Sequence, residues 1–109
     1  MDVTMKVSGD VATLPSGQQL AVYRVVQEAL TNVFKHAGAC RAEVTVVRRH
    51  GELRVMIAND APAAPRAEAD KGGHGLGGMR ERARLYGGTL TAGVRPDGGF
   101  TVELLMPAP

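Results

Sequence analysis

Apolar residues recur every three or four positions along residues 16–37, which is the period of a helix with one buried face. This apolar stripe consists of Val22, Val26, Ala29, Leu30, Val33 and Ala37. Polar residues follow the other side, where Glu28, Asn32 and His36 form one oblique row at spacings of four. The pattern therefore predicts one long amphipathic helix, with Asn32 and His36 at the edge of its buried stripe.

The ends of this helix also carry sequence signals. Ser16 followed by Gln19 three residues later has the pattern of a capping box. Pro15 prevents an upstream helix from running into it, and Gly38 can adopt the left-handed conformation that ends a helix. We therefore predict a helix over 16–37 with Ser16 as its N-cap.

Alternation of apolar and polar residues predicts strands on either side of this helix. The strand over 2–7 is expected to be half-buried through Val3, Met5 and Val7. Two hairpins follow, and their strands are predicted over residues 43–49, 52–58, 89–95 and 99–106. A second helix precedes the last hairpin and runs to about Tyr86. This order predicts a two-layer α/β (α+β) sandwich, with helices on one face of a mixed, mainly antiparallel sheet.

Between the two hairpins lies a segment with unusual composition. Residues 61–71 show no period, and a loop of this length is typically a lid or a binding loop, so we expect it to be mobile. Five of the seven residues from Gly72 to Gly78 are glycine. Bare backbone N–H groups at the start of a helix can bind an anion, and a flexible hinge is the alternative. The spacing matches neither a Walker A sequence nor a dinucleotide-binding fingerprint.

The composition narrows the function classes. A chain of 109 residues with a net charge of +2 is one domain that can bury a core. Its basic residues are scattered, and with two Tyr, two Phe and no Trp it is poorly suited to nucleic acid. The single Cys40 excludes an internal disulfide and fits a reducing compartment. No apolar run approaches a membrane span and no signal peptide is visible, so we expect a cytoplasmic domain without direct membrane contact.

The first candidate site is the polar strip of the long helix. The strip combines a carboxylate, an amide, an ammonium and an imidazole, which belong in that order to Glu28, Asn32, Lys35 and His36. Such a set can hold a hydrated divalent cation and contact phosphate oxygens. A solvated helix face is the alternative, although Asn is a poor helix former and is better used at caps.

Two further groups of residues have both a structural and a functional interpretation. Asn59 and Asp60 end a predicted strand, where they either form a turn or hydrogen-bond the exocyclic amine of a ligand. The arginines of the second helix either form a surface patch or reach phosphates. We interpret Arg82 and Arg84 as surface residues and leave both possibilities open for Arg80.

Two of these stretches resemble the motifs of a known family. The segment from Tyr23 to Ala37 resembles the N box of the GHKL ATPases, whose fold is shared by sensor histidine kinase catalytic domains, gyrase B, Hsp90 and MutL. Residues 73–82 together with 85–88 resemble the G2 box of the NarL/DesK-type sensor histidine kinases. The similarity covers residues 3–107, and it implies a GHKL (Bergerat-type) fold that binds ATP and Mg²⁺ between the two helices and the lid.

The resemblance also assigns roles by position. Asn32 corresponds to the Mg²⁺ ligand, and Glu28 to the residue that polarises the water or acceptor near the γ-phosphate. Lys35 and His36 correspond to positions on the phosphate side. The residues expected to offer backbone N–H groups to the phosphates are Gly73, His74, Gly75, Leu76 and Gly78.

The adenine-binding box departs from the family pattern. In the family this strand ends in an Asp-x-Gly-x-Gly box whose Asp binds the adenine amine. Here Asn59 occupies the Asp position, Asp60 follows, and neither glycine is kept. An Asn carbonyl still accepts one hydrogen bond, so the resemblance implies adenine binding through Asn59 or Asp60, with weak binding as one outcome.

The resemblance implies a partner that carries the phosphoacceptor. Kinases of this kind transfer the γ-phosphoryl group to a histidine of a separate dimerisation domain, and indirectly to a response regulator. The histidines here are His36, His50 and His74, in the nucleotide motifs or a hairpin turn. We therefore interpret residues 1–109 as the catalytic domain of a longer kinase. The alternatives are an anti-sigma-factor-type serine kinase, which the Arg80-Glu81-Arg82 sequence disfavours, and a non-catalytic docking module.

Overall fold

The computed structural model describes residues 2–37, 40–60 and 76–108. The elements over these residues are β1 (Asp2–Ser8), α1 (Ser16–Ala37), β2 (Arg41–Arg49), β3 (Glu52–Asn59), α2 (Leu76–Leu85), β4 (Thr89–Val94) and β5 (Phe100–Pro107). The predicted order is confirmed, and each predicted strand boundary lies within two residues of the observed one. The loop predicted over 61–71 and the helix-ending Gly38 lie outside the described residues.

The five strands form one sheet in the order β1-β2-β3-β5-β4. β1 pairs parallel with β2, and every other neighbouring pair is antiparallel. Parallel neighbours need a crossover connection, which α1 supplies. Because α1 returns the chain from the end of β1 to the start of β2, its C-terminal end lies near the start of β2. The predicted mixed, mainly antiparallel sheet is confirmed.

The hydrophobic core lies between the two helices and one face of the sheet. Its most deeply buried side chains are Val25, Val44, Leu53, Val55, Ile57, Met79 and Leu104. α1 packs over β2 and β3, whereas α2 packs over β4 and β5. β3 therefore runs beneath the seam between the helices, and a residue on the helix-facing side at the end of β3 lies under that seam.

The start of α1 differs from the predicted capping box. The Gln19 backbone N–H donates to the carbonyl oxygen of Pro15 at 3.0 Å, which places Ser16 inside the first turn. The Gln19 side chain donates instead to the carbonyl oxygens of Leu14 at 2.7 Å and Ala12 at 3.1 Å. Because Leu14 is buried in the core, this amide ties the helix to a loop that is already anchored.

β1 is a strand as predicted, but the prediction that it is half-buried is wrong. Val3, Met5 and Val7 are 45%, 57% and 56% exposed. They share the helix-facing side of the sheet with their buried register partners on β2. β1 is an edge strand, and α1 packs mainly over β2 and β3. Alternation in the sequence identifies the apolar side of a strand, but it does not show whether a helix covers that side.

Candidate functional site

The topology brings separate parts of the predicted site to one end of the molecule. Asn59, at the end of β3, pairs with Ala42 at the start of β2 and with Phe100 at the start of β5. The C-terminal half of α1 lies at this same end, because α1 runs antiparallel to β2. The polar strip and Asn59 are therefore neighbours in the fold, although more than twenty residues separate Asn32 from Asn59 in sequence.

The second helix runs antiparallel to the first. Near the C-terminal end of α2, the Tyr86 hydroxyl lies 2.8 Å from the point that a Cβ on Gly17 would occupy. Closer to the start of α2, Arg82 Nη1 lies 2.6 Å from Glu28 Oε1. The N-terminal turn of α2 therefore lies beside the C-terminal half of α1. We call the space bounded by the two helices and the end of β3 the cleft.

The polar strip follows the wall formed by α1. The Glu28 side chain is 31% exposed, and Asn32, one turn further along, is also only partly exposed. Lys35 is exposed, and the helical backbone continues the row to His36. The wall thus offers an amide and a carboxylate at the level where α2 begins.

The buried face of α1 differs from the predicted stripe: its buried apolar residues are Ala21, Val25 and Ala29, whereas Val22, Val26, Leu30 and Val33 are half-buried. Asn32 continues the row of Val25 and Ala29 at a spacing of three, so it lies within the buried face and not at its edge.

The first turn of α2 carries two glycines, and packing among the described residues does not explain them. Within the described part of the chain, a Cβ on Gly77 would meet nothing within 4 Å, and one on Gly78 would lie 3.6 Å from Arg82 Nη1, an ordinary contact. Glycine in a helix costs about 0.5–1 kcal/mol relative to alanine. The described fold does not require that cost. Leu76 opens the helix, and the other residues predicted to contact phosphates lie outside the described residues: Gly73, His74 and Gly75.

Asn59 and Asp60 occupy different environments. Asn59 is 3% exposed on the helix-facing side of β3, beneath the seam of the helices. Its Nδ2 donates to the carbonyl oxygen of Asp60 at 2.9 Å. Asp60 Oδ1 accepts from the Arg41 backbone N–H at 2.8 Å and so fixes the start of β2. This bond gives Asp60 a structural role, whereas Asn59 lies in the floor of the cleft.

Residues of the β4–β5 turn contact the backbone carbonyl group of Asn59. Arg95 Nη1 donates to the Asn59 carbonyl oxygen at 3.2 Å, and Arg95 also pairs with Asp97 at 3.5 Å. A Cβ on Gly99 would overlap the same carbonyl oxygen. Neither Arg95 nor Gly99 is predicted from the sequence as part of the site, because their proximity to Asn59 depends on the register between β3 and β5.

We expect Gly99→Ala to destabilise the domain and to displace Asn59. The added methyl group overlaps backbone atoms that have no rotamer with which to move away, and overpacking of this kind costs about 1–3 kcal/mol. The melting temperature should fall by about 4–8 °C for each kcal/mol, as measured by circular dichroism. Gly93→Ala is the matched control, because a Cβ there meets nothing within 4 Å. Equal melting temperatures for the two variants would contradict this packing argument.

The structure corrects the assignment of Arg82 to the surface. Its side chain is 30% exposed and is paired with Glu28. Arg84 is 70% exposed and pairs with Glu81 of its own helix at 3.4 Å, so its surface assignment is confirmed. Arg80 is exposed. Spacing along α2 places these arginines on the helix, but it does not show which flank of α2 packs against α1.

The donor set of the cleft fits Mg²⁺ bound together with a phosphate. Across the described residues, no three His, Cys, Asp or Glu side chains come close enough to form a metal site. Mg²⁺ in nucleotide sites needs few protein ligands, because it keeps several waters and shares phosphate oxygens. The amide oxygen of Asn32 is a hard donor of the kind that Mg²⁺ accepts. The strip is therefore suited to the cation that accompanies a nucleotide.

The described residues support neither a nucleophilic role for Cys40 nor a membrane-spanning helix. Desolvation by burial, and then the negative charge of Asp60, raise the pKa of the Cys40 thiol. The thiol therefore stays protonated at neutral pH, and a protonated thiol is a weak nucleophile. In addition, none of the described helices combines the length and the hydropathy needed to cross a bilayer.

Comparison with known proteins identifies the family of this chain. The profile of the family described as histidine kinase-, DNA gyrase B- and HSP90-like ATPase matches residues 17–109. The chain is 31% identical over 105 residues to the signal transduction histidine-protein kinase/phosphatase DegS of Brevibacillus brevis, which covers 96% of this chain and 27% of that protein. It is 36% identical over 93 residues to the sensor histidine kinase YxjM of Bacillus subtilis, covering 85% and 22%. The chain thus spans roughly a quarter of each relative.

Solved structures show the same architecture. The histidine kinase domain of the blue-light activated histidine kinase EL346 from Erythrobacter litoralis superposes with a TM-score of 0.72 at 22% identity, covering 96% of this chain and 54% of that chain. The ATP binding domain of PrrB from Mycobacterium tuberculosis superposes with a TM-score of 0.66 at 26% identity, covering 100% and 81%. The fold expected from the motifs is confirmed.

Proposed function

The chain belongs to the family of histidine kinase-, DNA gyrase B- and HSP90-like ATPases, and from this we propose that it is the ATP-binding catalytic domain of a sensor histidine kinase. In the parent kinase it transfers the γ-phosphoryl group of ATP to a histidine on a dimerisation domain, from which a response regulator receives it. The relatives DegS and YxjM carry histidine kinase names, and the chain matches about a quarter of each. We place the acceptor histidine outside these residues.

The convergence of three elements at one end of the molecule supports this proposal. The helix α1 brings Glu28 and Asn32, the helix α2 brings a bare first turn, and β3 brings the buried amide of Asn59. An amide oxygen suits a cation, backbone N–H groups at a helix start suit an anion, and a buried amide suits a base edge. A nucleotide with its metal requires all three in one cleft.

The proposed roles follow from these positions. Asn59 accepts a hydrogen bond from the adenine amine, and Asn32 with the first turn of α2 holds the phosphates from two sides. Lys35 and His36 lie toward the phosphates, and Glu28 polarises the acceptor next to the γ-phosphate. Mg²⁺, when bound, neutralises the charge that develops on the phosphate oxygens. Catalysis is then mainly positioning and electrostatic stabilisation.

The test has two stages. Calorimetry of ATP with and without Mg²⁺ should show binding that depends on the metal. The domain should then phosphorylate a helical dimerisation domain that carries a histidine, and leave a serine-bearing anti-sigma partner unmodified. Transfer to the serine alone would move the assignment to the serine kinases of the same fold.

A non-catalytic docking module remains the second candidate. It is favoured by the adenine box, where Asn59 replaces the acid of the family and Asp60 is engaged with the Arg41 backbone. Such a module would show no heat of ATP binding at millimolar nucleotide, with or without Mg²⁺, while remaining folded. Saturable binding of ATP would exclude it.

We expect Gly78→Ala to separate stability from nucleotide binding. The Cβ fits without a clash, and alanine is preferred to glycine in a helix by about 0.5–1 kcal/mol, so the free energy of unfolding should hold or rise. The methyl group nevertheless points toward the cleft and should weaken ATP binding. Gly93→Ala is the matched control, because its Cβ also meets nothing within 4 Å and it lies on an exposed position of β4, outside the proposed binding residues. If calorimetry gives both variants the affinity of the unmodified domain, this glycine has no role in binding.

A further inference from the structure

An ion pair joins the two helices at the cleft. Arg82 Nη1 of α2 lies 2.6 Å from Glu28 Oε1 of α1, and the two side chains are 30% and 31% exposed. The pair between Arg84 and Glu81 within α2 is longer, at 3.4 Å, and its side chains are 70% and 68% exposed. The Arg82–Glu28 pair is therefore less screened by solvent than an ordinary surface pair.

The guanidinium of Arg82 lies beside the first turn of its own helix. Side chains in an α-helix point back toward the N-terminus, and Arg82 Nη1 is 3.6 Å from the point that a Cβ on Gly78 would occupy. The guanidinium thus lies between the N-terminal turn of α2 and the Glu28 carboxylate. This is the level of the cleft at which the proposed function places the phosphates.

An arginine is suited to fixing a carboxylate at this point. Its guanidinium is planar, always charged, and presents its N–H donors in a rigid fork. A glutamate on a helix surface otherwise samples several rotamers around its side-chain bonds. Because Arg82 belongs to α2, the pair restricts the Glu28 carboxylate to an orientation that depends on how α2 docks against α1.

We propose that Arg82 is a positioning residue, which holds the Glu28 carboxylate toward the phosphoryl acceptor. The inference rests on the proposed function, since it requires Glu28 to polarise the acceptor near the γ-phosphate. In this proposal Arg82 acts through Glu28, and not through a contact of its own with the nucleotide or the acceptor. A misplacement of about 1 Å can cost about 100-fold in rate, so loss of Arg82 slows phosphoryl transfer and leaves ATP affinity unchanged.

The test compares variants of the parent kinase: Arg82→Ala, Arg82→Lys, Glu28→Gln and the double variant of Arg82→Ala with Glu28→Gln. Arg84→Ala is the matched control, because it removes an arginine from the exposed side of the same helix. Each variant is measured for the kcat of autophosphorylation, for the Kd of ATP by calorimetry, and for its melting temperature.

Arg82→Ala is expected to lower kcat, and this loss should depend on the presence of Glu28. Arg82→Ala should lower kcat by about 10- to 100-fold with an unchanged Kd for ATP. The double variant should be no slower than Glu28→Gln, because residues that act as a unit are not additive. Arg82→Lys keeps the charge and should recover part of the rate, and Arg84→Ala should have the kcat of the unmodified kinase.

Three results would overturn the proposal: an unchanged kcat in folded Arg82→Ala, rate losses that multiply in the double variant, or a Kd for ATP that rises in step with the lost activity. If Arg82→Ala does not fold, Arg82→Met, which keeps most of the apolar stem and removes the guanidinium, is judged by the same criteria. Full activity of Glu28→Gln would remove the catalytic role of Glu28 from the proposed function. If Glu28→Gln is slow but Arg82→Ala is not, only the inference about Arg82 fails and the proposed function stands.

Discussion

Replacing Asn32 by alanine is expected to remove the Mg²⁺-dependent part of ATP binding and to leave the domain folded. The amide oxygen is the proposed protein ligand of the metal, and a hydrogen bond or ligand bond to a charged partner contributes about 1.5–3 kcal/mol. The affinity for ATP with Mg²⁺ should therefore fall by about 10- to 100-fold. Titration calorimetry with and without Mg²⁺ measures this difference directly.

The fold should tolerate this change, because Asn32 is only partly buried and alanine is the better helix former. The free energy of unfolding should stay within about 1 kcal/mol of that of the unmodified domain. Gln27→Ala is the matched control, since Gln27 is an exposed amide of the same helix, outside the row of Glu28 and Asn32. Unchanged Mg²⁺-dependent binding in Asn32→Ala would remove Asn32 from the site.

Glu28→Gln is expected to stop most phosphoryl transfer while ATP still binds. The amide keeps the size of the side chain but does not take up a proton or polarise the acceptor as a carboxylate does. Loss of such a group typically costs about 10²- to 10⁴-fold in rate. Phosphohistidine formed on the dimerisation domain measures the rate, and calorimetry shows that the affinity for ATP is retained.

The control for this prediction is Glu81→Gln. Glu81 is 68% exposed on α2 and pairs with Arg84, so it resembles Glu28 in charge and in having an arginine partner, but it lies away from α1. Glu81→Gln should transfer at the unmodified rate. A Glu28→Gln variant that transfers equally fast would show that positioning and metal binding are sufficient without this carboxylate.

Most of the fold was predictable because its signals are local. The apolar stripe fixed the length of α1, since a buried helical face repeats every three to four residues. His50 and Gly51 indicated a hairpin, and both adopt positive φ, at 55° and 75°, as such a turn requires. In both cases the residues that determine the element lie close together in the sequence.

The candidate site was only partly predictable. Glu28 and Asn32 could be found because they share one row of a single helix. The support of Asn59 by Arg95 and Gly99 could not, because these residues meet only through strand register. A sequence motif thus identifies the groups that would contact a ligand more readily than the groups that hold them in place.

The amino-acid sequence by itself determined the order of the described elements, their approximate bounds and which side of each strand is apolar. The tertiary structure decided which faces meet. It paired Arg82 with Glu28 and left Val3 and its neighbours on β1 exposed. The reason is that periodicity is a property of one element, whereas burial and ion pairing between elements depend on the topology that sets one element against another.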